Sequence, residues 1–489
     1  MLFSLRVLHA RYASIVYVAM ILSALGIPSI AAESSPPNIV LILADDLGYG
    51  DLGCFGQKTL KTPRLDEMAQ QGMRFTQFYA GCTVCAPSRC VLMTGQHMGR
   101  TVVRGNSTAP IVIPPDQETV ASILKQAGYQ TACIGKWGIG TPDNFTNPND
   151  VGFDHFFGYI NMWHAHNFYP EFLIRNGEVV KLNNVVADKW KQWRDPKLPM
   201  AGRGVAVKRE EYAPDLFTED ALRFIRSNKD NPFFLYFAMN IPHANNEAGN
   251  AGMEVPDLGP FADKEWPAPE KGFAAMIRNI DRDCGRIIDL LNELKIAENT
   301  LVLFTSDNGP HQEGGHQADF FDSNGKLRGI KRDLTEGGIR VPTIAWWPGT
   351  VKQGTVDDAH WYFGDVMATV AELAGVDPPE GIDSDSFVGP LRGIPREKRW
   401  KRKSNMYWEF YSKRSAQRSA QAVRFGKWKA IRKPMFTGPI ELYDMSNDAS
   451  EKRDYSKRRP DLARHATNLL NKMHEPDPNW QIVGAKTRK

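Results

Sequence analysis

The amino-acid sequence predicts an α/β fold, a sheet flanked by helices. Short apolar runs of strand length alternate with longer runs of helical periodicity. Several of the apolar runs also stop at a polar or charged residue, as strands do where they open into a binding crevice. The chain has 489 residues, 42% of them hydrophobic and 24% charged, enough for one large core plus a smaller unit, with no sign of bulk disorder.

Taken in order, Arg6 and Arg11 precede an apolar stretch from Ile15 to Ile27, and Ser29 and Ala31 make an A-x-A-like site. Residues 1–31 therefore read as a signal peptide. The stretch is short for a bilayer span, so a secreted or periplasmic protein without stable membrane insertion is expected. The first strand is Asn38–Ala44. A helix follows, with Thr62 as N-cap, Pro63 at its first position and Gly72 past its end. Met73–Ala80 is the next strand. A helix from about Asp116 to Ala127 stops at Gly128, and the strand Tyr129–Ile134 comes after it. Phe233–Met239 is a strongly apolar strand. Met276, Ile280, Cys284, Ile287 and Leu291 share one helical face. The strand Leu301–Thr305 and a helix from Asp365 to Gly375 follow. Pro, Gly and Asp crowd Val376–Pro395, which reads as a linker, and the basic run Arg396–Lys403 reads as a solvated surface segment.

Charge and cysteine content exclude several classes. The net charge of +4 is small for this length and makes no electrostatic case for nucleic acid. Export permits disulfides, but Cys54, Cys82, Cys85, Cys90, Cys133 and Cys284 are too sparse for a disulfide scaffold. Cys82 and Cys85 form a C-x-x-C, yet no second C-x-x-C or H-x-x-x-H completes a zinc site. Asn106-Ser-Thr and Asn144-Phe-Thr fit the glycosylation pattern.

The chemistry collects at strand ends. The first strand ends at Asp45-Asp46, and the second leads into Cys82–Arg89. The third ends at Lys136, the Phe233 strand at Pro242-His243, and the Leu301 strand at Asp307-Asn308. Asp45, Asp46, Asp307 and Asn308 supply hard oxygen ligands, which favour Ca²⁺ or Mg²⁺ over zinc. Arg89, Lys136, His243 and Lys331 supply donors and positive charge. A divalent cation beside fixed cations suits an anionic tetrahedral group, a sulfate or a phosphate ester.

Cys85-Ala-Pro-Ser-Arg89, followed by Thr94-Gly95, resembles the type I (formylglycine-dependent) sulfatase signature C-x-P-S-R. The segment N-I-V-L-I-L-A-D-D-L-G-Y-G-D from Asn38 is similar to that family's metal-binding segment. Gly135-Lys136-Trp137, Pro242-His243, Ser306–Gly309 and Leu327–Pro342 match its later segments in order, and Glu441–Met445 resembles its C-terminal strand. The chain is identified as a member of this family, within the alkaline phosphatase superfamily. The resemblance implies a large mixed sheet sandwiched by helices over residues 36–378. A smaller C-terminal α+β unit with a short antiparallel sheet over 385–489 would follow.

It also implies that a maturation enzyme oxidises Cys85 to formylglycine, whose hydrate attacks sulfur. Asp45, Asp46, Asp307, Asn308 and residue 85 would hold the metal, Ca²⁺ ahead of Mg²⁺. Arg89 would steady the hydrate. Lys136, His243 and Lys331 would bind the sulfate and leaving oxygen, with His243 the first candidate acid and Lys331 the second. His311, His316 and Arg328 are expected as substrate contacts.

One departure stands out. The family often reads G-K-W-H, whereas here Gly138 follows Gly135-Lys136-Trp137. His166 is the expected substitute for the missing histidine. Trp163, Phe168 and Tyr169 offer a sugar-stacking wall. The expected activity is removal of sulfate, on a sulfated carbohydrate. The competing readings are a phosphoester or phosphonate hydrolase, an inactive carbohydrate-binding relative, and a thiol–disulfide protein built on Cys82 and Cys85.

Overall fold

β1 (Asn38–Ala44) is buried along its whole length. Ile39, Leu41 and Leu43 enter one apolar core, while Val40, Ile42 and Ala44 enter another. A strand apolar on both faces needs cover on both sides, which is the α/β arrangement. The computed structural model describes residues 36–106, 112–140, 147–198, 200–395, 398, 402, 404–412 and 415–481. The expected signal peptide, Asn144 and most of the basic run lie outside the described residues.

The strands that follow are β2 (Met73–Tyr79), β3 (Gln130–Lys136), β4 (His155–Tyr159), β5 (Phe172–Arg175) and β6 (Glu178–Lys181). A small hairpin of β7 (Val185–Val186) and β8 (Ala206–Lys208) precedes β9 (Phe233–Ala238), β10 (Thr300–Ser306), β11 (Arg340–Trp346) and β12 (Thr355–Tyr362). All but the hairpin join one ten-stranded sheet, ordered β12-β2-β11-β10-β1-β9-β3-β4-β5-β6. β10, β1, β9, β3 and β4 run parallel. β11 opposes β10 and β2, and β5 opposes β4 and β6, so the sheet is mixed.

Register decides what the sheet presents. Ala44 pairs with Ser306, while Leu43 and Gly135 both pair with Ala238. The carboxyl ends of β10, β1, β9 and β3 are therefore level, and Asp307, Asp45 and Lys136 emerge side by side.

The helices match the periodicity with two corrections. The helix Pro63–Gln71 begins and ends as expected, but the Thr62 hydroxyl does not cap it. It accepts from Gly53 N at 2.9 Å and donates to Asp66 at 3.1 Å instead. The helix expected from Asp116 begins at Val120, because Thr119 and Ser122 exchange side-chain and backbone hydrogen bonds in a capping box. Helix Ala268–Glu293 buries the predicted Met276–Leu291 face. The stretch 376–395, expected as a linker, carries Phe387, Val388 and Leu391 into the core.

The C-terminal part builds a second sheet from β13 (Met406–Phe410), β14 (Ala420–Phe425), β15 (Trp428–Arg432) and β16 (Ile440–Asp444), antiparallel in sequence order. Ala466 and Leu470 of helix Pro460–Lys472 are buried in the same core. Trp408 Nε1 donates to Ala80 O at 2.8 Å, tying this sheet to the large one. Beside it Lys429 Nζ lies 2.9 Å from both Glu336 and Glu451, all three buried. Among the described residues no helix is long and apolar enough to cross a membrane.

Candidate active site

The helix Cys85–Thr94 starts at Cys85 with Pro87 in its first turn, where a missing N–H costs nothing. Position 85 thus sits at a helix N-terminus, whose free N–H groups favour an anion. Ser88 Oγ accepts from Gly81 N at 3.0 Å and donates to Asp307 O at 2.5 Å, pinning this turn to the end of β10. One turn along the helix, Arg89 is fully buried. Its Nε and Nη2 donate to Asp307 Oδ2 at 3.0 and 2.8 Å, and its Nη1 to Lys136 O at 2.5 Å.

Both carboxylates that follow β1 meet lysines from elsewhere. Lys136 Nζ donates to Asp45 Oδ2 at 2.6 Å, and Lys331 Nζ to Asp46 Oδ2 at 2.6 Å. Asp46 has a positive φ of 67°, a backbone strain of about 1–3 kcal/mol that recurs at functional sites. Despite burial, Lys136, His243 and Arg89 hold the Asp45 carboxyl well below its usual range. Asp307 goes the other way: burial, then the Asp45 charge, push it up to about 7 in spite of Arg89.

The donor set fits a hard cation. Asp45 Oδ1 and Asn308 Oδ1 are buried without a hydrogen-bond partner, a costly state unless a ligand meets them. Donor atoms of Asp45, Asp46 and His243 lie within 4.8 Å of one another. So do those of Asp46, His311 and Glu313. The Lys331 ammonium already serves this second group, 2.6 Å from Asp46 and 3.1 Å from Glu313.

His243 has a defined tautomer. Its Nδ1 lies 2.7 Å from the Ala244 carbonyl, so Nδ1 carries the hydrogen. Its Nε2 then accepts from Lys331 Nζ at 3.1 Å. Burial, then Lys331, push the ring down to about 3, so it stands neutral beside a charged lysine.

Several expected contacts belong elsewhere. His166 stacks on His243 with centroids 4.8 Å apart and planes at 12°. A Cβ at Gly138 would have Lys136 and Arg89 as its nearest neighbours, at 3.5 and 3.6 Å. His311 uses both nitrogens within the protein: Nε2 on Pro242 O and Nδ1 on Glu313 N, each at 3.0 Å. His316 is buried against Phe273 at 3.8 Å, with Nδ1 2.6 Å from Glu270. His311 thus has both nitrogens engaged within the protein, while His316 Nε2 is buried without a hydrogen-bond partner. Arg328 turns to the C-terminal sheet, over Tyr443 at 5.0 Å and 3.2 Å from Glu441. Phe168 and Tyr169 are core residues rather than a stacking wall, and Trp163 packs partly buried against the core. Cys82 and Cys85 are both free thiols, and Cys82 Sγ donates to Glu409 O.

The sequence reading missed three acting residues. Glu313 pairs with Lys331 and Arg332 and approaches His243 Nε2 to 3.7 Å. Glu247 holds His166 Nδ1 at 3.2 Å and is itself held by Arg203 at 2.8 Å. Glu313 was within reach, two residues beyond His311; Glu247 and Arg203 lie in irregular loops with no period to mark them.

Comparison with known proteins decides the family. Residues 37–376 match the family described as Sulfatase, and residues 329–476 match that described as N-sulphoglucosamine sulphohydrolase, C-terminal. The chain belongs to the sulfatase family. It is 35% identical to an N-acetylgalactosamine-6-sulfatase of Sus scrofa over 403 residues, 78% of this chain and 69% of the relative. It is 30% identical to an N-acetylgalactosamine-6-O-sulfatase of Bacteroides thetaiotaomicron, over 90% of this chain and 93% of that one. The crystal structure of Ps i-CgsB in complex with k-i-k-neocarrahexaose superposes with a TM-score of 0.73 at 28% identity, covering 92% and 94% of the two chains. The sulfatase is a sulfuric ester hydrolase of alkaline phosphatase type. Its family uses formylglycine and a divalent metal, and the acidic groups described above suit such an ion.

Proposed function

We propose that this sulfatase removes sulfate from a sulfated carbohydrate, with residue 85 matured to formylglycine. The observation that carries the reading is the meeting of Asp45, Asp46, Asp307 and Asn308 with Lys136, Lys331 and Arg89, beside the helix that begins at Cys85. The carbohydrate follows from the relatives, which are named for sulfated amino sugars.

Asp45, Asp46, Asp307, Asn308 and residue 85 would hold the cation, and so many protein oxygens favour Ca²⁺ over Mg²⁺, which usually takes one or two carboxylates and keeps its waters. Bound there, the metal supplies Lewis acidity to a sulfate oxygen and eases loss of a proton from the formylglycine hydrate's attacking hydroxyl. Arg89 fixes Asp307 and the Lys136 carbonyl, so the metal side of the site stays in place. Lys136 and Lys331 offset the negative charge of the sulfate group. The tautomer of His243 leaves the transferable proton on Lys331. Lys331 is therefore the proton donor to the leaving oxygen, and His243 Nε2 orients it, the reverse of the order the sequence suggested. His166 supports His243 by stacking.

A maturation enzyme must act on Cys85, and export through residues 1–31 is part of the same proposal. N-terminal sequencing of the exported protein tests the cleavage site. Peptide mass spectrometry tests the maturation: a Cys85 peptide lighter by about 18 Da is expected for the aldehyde. An unmodified Cys85 in protein from its native host, with no sulfate released from sulfated sugars, would sink the reading. Faster turnover of phosphate than of sulfate esters would favour the phosphohydrolase instead.

A further inference from the structure

Asn106 is, among the described residues, the side chain that hydrogen-bonds Cys85. Its Nδ2 donates to Cys85 Sγ at 3.1 Å, and its Oδ1 accepts from Ala86 N at 3.1 Å. The second bond fixes the first. A backbone N–H only donates, so the oxygen end of the amide must face Ala86 and the nitrogen end must face residue 85. One planar group thus holds the first turn of the helix and aims a donor at the substituent on residue 85. Sγ marks the place on Cβ that oxygen takes after oxidation to formylglycine.

The approach of Asn106 is braced by buried structure. Arg104 donates from Nε to Thr101 O at 3.0 Å and from Nη1 to Glu475 O at 2.6 Å. Gly105 lies so close to Trp480 that a Cβ there would meet the indole at 2.9 Å. Trp480 Nε1 in turn donates to Val102 O at 2.9 Å, and Glu475 N to Gly99 O at 2.8 Å. The C-terminal segment therefore clamps the loop from Gly99 to Gly105 on both sides of its path to residue 85.

We propose that Asn106 is a further catalytic residue, donating from Nδ2 to the oxygen on residue 85. A preorganised donor at that atom orients it and favours its anionic form over the neutral one. This inference rests on the sulfatase reading above.

Two substitutions separate donation from helix capping. Asn106→Asp keeps an oxygen for Ala86 N and replaces the donor by an acceptor; Asn106→Ala removes both. With equal formylglycine content by peptide mass, Asn106→Asp is expected to lower kcat on a sulfated sugar about a hundredfold, the usual effect of losing one such donor. KM should change by no more than about threefold, as for an interaction made mainly in the transition state. Asn106→Ala should lose kcat without a new charge. A second readout needs no maturation. In protein carrying unmodified Cys85, alkylation of that thiol by iodoacetamide should slow about tenfold in Asn106→Asp, through the charge placed beside the reacting sulfur. Wild-type kcat together with wild-type alkylation in Asn106→Asp would overturn the proposal. If matured wild-type protein released no sulfate, the sulfatase reading would fall, and the alkylation ratio alone would decide the Asn106 contact.

Discussion

Two buried clusters of charge lie along the large sheet, and they are built differently. At the seam with the small sheet, Lys429 stands between Glu336 and Glu451, and Arg340 lies 3.4 Å from Glu336. Against burial, Lys429, Arg340 and Arg424 hold Glu336 down to about 2. At the ends of β1 and β10 the carboxyls divide: Asp45 and Asp46 are held down by their cations despite burial, while burial pushes Asp307 up to about 7. Both clusters meet their carboxylates with cations of their own, Lys429 at the seam and Lys136, Lys331 and Arg89 at the site. The site also leaves two buried oxygens, Asp45 Oδ1 and Asn308 Oδ1, without a hydrogen bond at the ends of the neighbouring strands β1 and β10. Buried polar atoms in that state are costly, which favours a ligand there.

Substitution of Cys85 should separate the clusters most sharply. Cys85→Ala is expected to reduce sulfate release at least about a thousandfold, roughly 4 kcal/mol, while the thermal midpoint stays near that of the wild type. Lys429→Ala should do the reverse. It leaves two carboxylates buried without their lysine, at about 3–5 kcal/mol, read as a lower denaturant midpoint with near-normal kcat in the folded fraction. An unmoved midpoint would remove the seam from the comparison. Chelation of divalent metal comes next: a loss of at least about a hundredfold in rate is expected, restored by added Ca²⁺ and equal in wild type and Lys429→Ala. The smallest effect should come from His166→Ala, about tenfold in kcat, since it shifts His243 without removing it. No change there would make the stacked pair packing alone.

What the sequence disclosed follows from the same physics. β1, β9 and β10 were legible within about a residue because each carries a continuous apolar run bounded by polar residues. Asp45, Asp307 and Lys136 were legible as neighbours because strand ends carry them. The order of the ten strands was not, since β11 and β12 leave no signal of which neighbour they pair with. Glu247 and Arg203 were hidden in loops whose contacts depend on distant partners. Phe168 misled for the opposite reason: its residue type suits a binding loop, but burial in the core puts it to structural use. The gap at Gly138 suggested His166, but one dimension could not tell that its ring would lie on His243.

The placement of Asn106 also bears on how the protein is made. Its Nδ2 is the atom that an oligosaccharyltransferase would modify in Asn106-Ser-Thr, and it is the atom turned toward residue 85. A eukaryotic secretory host that glycosylates this position attaches a sugar tree where a small hydrogen-bond donor has to fit. Stripping the tree with a peptide amidase would not undo the damage, because that reaction leaves aspartate in place of asparagine. Bacterial export, which leaves the amide bare, is the route that preserves the site's chemistry.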